Sequence, residues 1–98
     1  MNAIINNDKD DLIAECVKQA FEAKNILDAR KFYLQNKEKL GDFVEAGSLL
    51  FNYVCDNELI DEDGILKLTD QLYYLNMVVD KEPVFFGMLV TIKKYGRK

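Results

Sequence analysis

The stretch 56–70, DNELIDEDGILKLTD, carries five acidic side chains in its first eight positions, then a glycine, then a leucine-rich run. Three structures compete for it: a calcium loop, the hairpin of a winged DNA-binding domain, and the turn between two helices. Ligand spacing disposes of the first. With Gly64 at the sixth position of a calcium loop, Asp61 and Asp63 fall at the third and fifth. The first position is then Leu59, and the twelfth is Asp70 where a bidentate Glu is needed. Hydrophobic spacing favours the helical reading. Ile65, Leu68, Leu72, Leu75 and Val79 recur at intervals of three and four, a continuous seam along a helix over about 62–80, whereas Ile65-Leu66-Lys67-Leu68 does not alternate as a strand would. Asp61 is then the N-cap, and Glu62 and Asp63 occupy the first turn, where the helix dipole favours negative charge by ~0.3–1 kcal/mol each.

The segment NYVCDNELIDEDGILKLTDQLYYL resembles the closing part of many winged-helix regulators, in which a helix runs into a strand, a turn, a second strand ending in Leu-Thr and another helix. The resemblance covers about two dozen residues. It implies a winged helix-turn-helix with a short β-hairpin near 59–69 and a DNA-binding function. The chain departs from that pattern at Leu72 and at Glu58, where such proteins carry glycines. The helix that would read DNA, 43–57, carries Glu45 and Asp56 and neither Lys nor Arg, so phosphate would repel it.

Working outward, Leu12, Ile13, Cys16, Val17, Ala20 and Phe21 mark a helix with one buried face, capped by Asp8 or Asp10. A second helix is expected over about 28–40, with Ala29, Phe32, Tyr33 and Leu40 on one side. Gly41 supplies a left-handed stop, and Asp42 with Glu45 forms a capping-box variant that starts a third helix over about 43–55. That helix is apolar around most of its circumference and has to be surrounded by others. Gly47 and Ser48 in its middle permit close approach of a neighbour. Pro83 opens a last helix to about Tyr95, with Phe85, Met88, Leu89 and Ile92 on one face. The fold class expected is all-α: a compact single-domain bundle of four to five helices over residues 1–98, with the third and last helices at its centre.

At 98 residues and 49% hydrophobic, with six Phe and five Tyr, the chain has enough apolar surface to close a core without metal or disulfides. Cys16 and Cys55 both fall on apolar stripes and read as reduced, buried thiols. The N-terminus MNAIINNDKDD has no apolar run behind a basic start, and the longest apolar stretch, 84–90, is far short of a membrane span. A cytoplasmic location without membrane contact is the expectation. Residues 1–82 hold nine Lys and Arg against all seventeen Asp and Glu, a formal charge of −8, while 83–98 hold Lys93, Lys94, Arg97 and Lys98 with no acid. The net charge of −4 opposes general attraction to nucleic acid.

The chemistry for catalysis is sparse. There is no His, so Ser48 lacks the commonest base; metal-ligand spacings and Gly-rich phosphate loops are missing, and acid pairs such as Asp10-Asp11 lie at helix starts. No enzyme activity and no cofactor or metal is expected. What remains is a surface. The sequence points to a small acidic module that binds another protein, in the manner of a regulatory, immunity or antitoxin-like partner. Short helical bacteriocin-immunity proteins are similar in size and architecture, with no shared motif. The surface expected to attract a basic partner is the acidic turn of Asp56, Glu58, Asp61, Glu62 and Asp63. A stripe of Phe85, Met88 and Tyr95, if exposed, would also allow self-association.

Overall fold

The computed structural model describes residues 8–97. The order is α1 (Asp8–Glu22), α2 (Leu27–Gln35), α3 (Lys37–Leu40), α4 (Phe43–Asp56), α5 (Glu62–Leu75) and α6 (Glu82–Tyr95). The all-α bundle is formed, with six helices where four to five were expected. Asn36 makes the difference. At φ −110° and ψ 23° it breaks the expected 28–40 helix into α2 and α3, and its side-chain amide donates to the Phe32 carbonyl at 2.8 Å.

The same device ends two other helices. Asn57 donates to the Tyr53 carbonyl at 2.8 Å, closing α4, and Asn76 to the Leu72 carbonyl at 2.9 Å, closing α5. In each case a carbonyl of the last turn, which has no partner further along the helix, receives the amide of the residue just beyond. The α5 seam therefore stops at Leu75, short of the expected 80, and Val79 is fully exposed. Lys81 completes that turn by donating to the carbonyls of Leu75 and Val78. The start of α1 also differs. The helix is already formed at Asp8, so Asp10 lies inside it, and residues 1–7, most of the N-terminal segment read for targeting, fall outside the described residues.

The core gathers along the expected faces. Ile13, Cys16 and Ala20 of α1, Leu50 and Val54 of α4, Leu68 and Leu75 of α5, and Phe85, Met88, Leu89 and Ile92 of α6 are buried. Helix α6 packs on α1, α4 and α5, and α4 packs on α1, α5 and α6, so these two lie at the centre as expected; α1 joins them, touching α2 and α3 as well. Because Phe85 and Met88 are completely buried and Tyr95 is half-buried, the stripe considered for self-association is part of the core. The radius of gyration, 12.8 Å, is that of a well-packed chain of this length. The thiols are free: Cys16 is buried, Cys55 half-buried. Burial, helped by Glu15, pushes the Cys16 thiol up to about 12.

The hairpin that the winged-helix alternative would place near 59–69 is not formed, because residues 62–75 are helix as the leucine spacing predicts. Among the described residues β-pairing is limited to an isolated antiparallel bridge between Ile60 and Gly96, in which Arg97 N–H donates to the Leu59 carbonyl at 2.8 Å and Asp61 N–H to the Tyr95 carbonyl at 3.3 Å. The bridge fastens the α4–α5 turn to the end of α6. No helix among the described residues is long and apolar enough to cross a membrane.

One polar cluster ties α2 to the start of α6. Arg30 grips the Glu82 carboxylate with two hydrogen bonds of 2.9 and 3.0 Å, and the buried Tyr33 hydroxyl donates to the same carboxylate. Beneath it the Tyr33, Phe43 and Phe85 rings stack edge to face and tilted, with centroids 5.0 to 6.2 Å apart. The Arg30 hydrogen bonds hold the Glu82 carboxyl below the usual carboxylate range, and burial pushes the Tyr33 hydroxyl up, so Tyr33 remains a neutral donor. A depressed acid stabilises the fold above its unfolded pKa, and that contribution is lost as pH falls through the folded value. Thermal denaturation of Glu82→Gln against the parent chain is therefore expected to show a deficit in Tm at pH 7 that shrinks below about pH 4, the range where an unfolded Glu titrates.

Candidate functional site

The acidic turn divides into an ending and a beginning. Beyond Asp56, the N–H of Glu58 donates to the Cys55 carbonyl at 3.2 Å and that of Leu59 to the Val54 carbonyl at 3.0 Å, the paired bonds of a Schellman motif. The position that such a motif reserves for glycine is held by Glu58, at φ +52°. Its side chain projects into solvent, 3.9 Å from Arg97. Asp61 is the N-cap of α5, its Oδ1 accepting from Gly64 N–H at 2.9 Å, and Glu62 and Asp63 lie exposed in the first turn. Glycine at 64 is needed for packing: an added Cβ would lie 2.6 Å from Tyr95 Cβ. The five acids thus spread around the turn, with Asp61 engaged by backbone and Asp56 facing a different surface.

That surface is a groove between α1 and α4. The two helices run in the same direction, since Lys9 near the start of α1 meets Glu45 near the start of α4 at 2.6 Å, and Phe21 near the end of α1 shares a concavity with Tyr53 and Leu59. Glu45 therefore bonds across to α1 and does not close the capping box; Asp42 caps α4 by accepting from Val44 N–H. Two concavities of about 410 and 420 Å³ share Asp11, Ala14 and Tyr53 and so adjoin as one groove. Its apolar lining is Ala14, Val17, Phe21, Leu49, Tyr53 and Leu59. Its charged lining is Asp10, Asp11, Glu15, Glu22 and Asp56 against Lys18. Asp10, Asp11, Glu22 and Asp56 are exposed, so the acids form a rim above half-buried apolar side chains.

Sequence reading found one member of this groove, Asp56, and treated Asp10 and Asp11 as ordinary residues of a helix start. A signal was present: Asp11, Glu15, Lys18 and Glu22 are spaced four, three and four apart, which places them in one row along α1 beside its buried stripe. The opposite wall on α4 is visible only in three dimensions. A second apolar feature lies on the solvent face of α5 and the turn after it, where Leu66, Tyr73, Tyr74 and Met77 are 57 to 71% exposed. Among the described residues no group of three Cys, Asp or Glu side chains is arranged to hold a metal ion.

No protein-family model matches the chain, and no curated protein and no solved structure shows significant similarity to it. The groove itself carries the functional reading.

Two substitutions in the turn are expected to act with opposite sign. Asp61→Ala removes the cap and should lower stability by about 1 kcal/mol, whereas Glu58→Gly relieves a left-handed backbone and should raise it by about 0.5–1 kcal/mol. Urea denaturation at constant m-value checks both, through midpoints that move in opposite directions.

Proposed function

We propose that this chain acts by binding another protein, as a regulatory, immunity or antitoxin-like module without catalytic activity, and that the α1–α4 groove is its binding surface. The supporting observation is the combination, along two adjoining concavities, of an apolar floor with a rim of five acids and one lysine. Burial of apolar area supplies affinity, and the rim supplies orientation and a faster encounter with a basic partner. Neither ingredient suits nucleic acid, whose phosphates the rim repels.

A DNA-binding role has less support. It would require α4 to enter a major groove, yet α4 is packed against α1, α5 and α6, and Glu45 and Asp56 are its charged exposed residues. The Asp56, Glu58, Asp61, Glu62 and Asp63 turn enters this reading mainly through Asp56, with the other acids adding to the field at the same end of the molecule.

The test joins capture with reconstitution. A photo-crosslinker at position 14 should capture a basic protein that a crosslinker at Lys67 does not. With that partner purified, Glu15→Lys combined with Asp56→Lys should weaken binding by roughly tenfold or more at low salt, chiefly through slower association, with less effect at high salt. Affinity unchanged by the double reversal, or retention of duplex DNA that is lost with salt, would remove the proposal.

A further inference from the structure

We infer that the occupant of the α1–α4 groove is a single amphipathic helix of another protein, about three turns long, with an apolar stripe flanked by Lys or Arg; this rests on the reading of the groove as the binding surface. Three features of the groove define that occupant. The first is the nature of its walls. Both are α-helices, whose interior N–H and C=O groups are bonded within their own helix, and the only extended pairing among the described residues, Ile60 with Gly96, is an isolated bridge. An extended peptide pressed onto Ala14, Leu49 and Tyr53 would find no backbone edge to pair with, and its own amides would lose water without gaining partners. A helix brings its hydrogen bonds with it.

Length is the second feature. Asp11 and Glu22 mark the two ends of the acidic row on α1, and eleven residues of helix rise about 17 Å, the length of roughly three turns of a partner lying alongside. Charge placement is the third. Asp11 and Glu15 stand one turn apart on the α1 wall, Glu22 lies near the far end, and Asp56 of the α4 wall lines the half of the groove that holds Asp10 and Asp11. Cations separated by one turn on the flanks of an apolar stripe would meet these acids, while the stripe covers Ala14, Tyr53 and Leu59. Ala14 lines both halves of the groove, and its small side chain leaves the space a large apolar anchor would fill.

Two peptides of identical Leu and Lys composition separate helix recognition from charge attraction. One places its leucines at i, i+3, i+4 and i+7 so that they gather on one helical face, and the other takes the same residues in alternating order. Each is titrated into isotopically labelled protein and followed by amide chemical shifts and circular dichroism. The helical-period peptide should bind at least about tenfold more tightly, gain helicity on binding and shift amides around Ala14, Lys18 and Tyr53. Ala14→Trp, with native dichroism, should abolish this, and Asp70→Lys, exposed on α5 and outside the lining of the groove, should leave it unchanged. Equal affinity for both peptides, with shifts confined to the groove, would overturn the helix while leaving the groove as the binding surface. Shifts centred on Leu66 and Tyr73 of α5 and on Met77 just beyond it, or none with either peptide, would overturn both. Self-association of the protein that Ala14→Trp abolishes would put a second copy in the groove and equally overturn the inference.

Discussion

The corner where the first turn of α5 meets the last turn of α6 has no space for one more carbon. A Cβ on Gly64 would lie 2.6 Å from Tyr95 Cβ, and one on Gly96 would lie 2.2 Å from Phe21 Cε1. Glycine at 64 therefore lets the start of α5 approach the end of α6, and glycine at 96 leaves room for the Phe21 ring from the end of α1. The Ile60 to Gly96 bridge closes the same corner and holds Ile60 buried between them. Leu59 is fixed by its neighbour's place in that bridge, and Leu59 with Phe21 forms one end of the α1–α4 groove. A bulkier residue at either glycine would force α5 and α6 apart or lift the tail from Phe21, and the groove would lose its end.

Acidic residues serve the structure in two distinct ways. Asp42 and Asp61 satisfy backbone donors at helix starts, and Glu82 satisfies Arg30 and Tyr33; these acids make the fold. Asp11, Glu22 and Asp56 stand exposed along two helices that the fold sets side by side, and there the same chemistry becomes a surface property. Adjacent parallel helices require the chain to return between them, which α2 and α3 accomplish. The Arg30–Glu82–Tyr33 cluster then fastens that return segment to α6. Positioning the groove is thus the work of interactions distant from it.

Much of the fold could be read from local pattern. Spacings of three and four placed the buried stripe of α1 and set α4 and α6 within a residue of their observed ends, and Asp61 declared the start of α5. What local pattern missed was where α2 and α5 stop. Asn36 and Asn76 end them through the bond to a carbonyl four residues back that Asn57 also makes at the end of α4, and a polar residue at the edge of an apolar run does not by itself separate a stop from a solvent-facing position. Val79 shows the consequence. It continues the leucine seam in sequence, yet it stands in open solvent because Asn76 and Lys81 have already drawn off the carbonyls of the last turn.

The sequence by itself determined the class of fold, the caps at Asp42 and Asp61, the buried stripes and the acidic balance, because each depends on residues within about one helical turn of one another. Tertiary structure alone decided that α1 and α4 lie parallel, that Ile60 pairs with Gly96, and that the row Asp11, Glu15, Glu22 faces Tyr53 and Asp56 across an apolar floor. These pairings join residues more than thirty positions apart. Such contacts are chosen by the packing of whole helices against one another, and no local periodicity encodes which faces will meet.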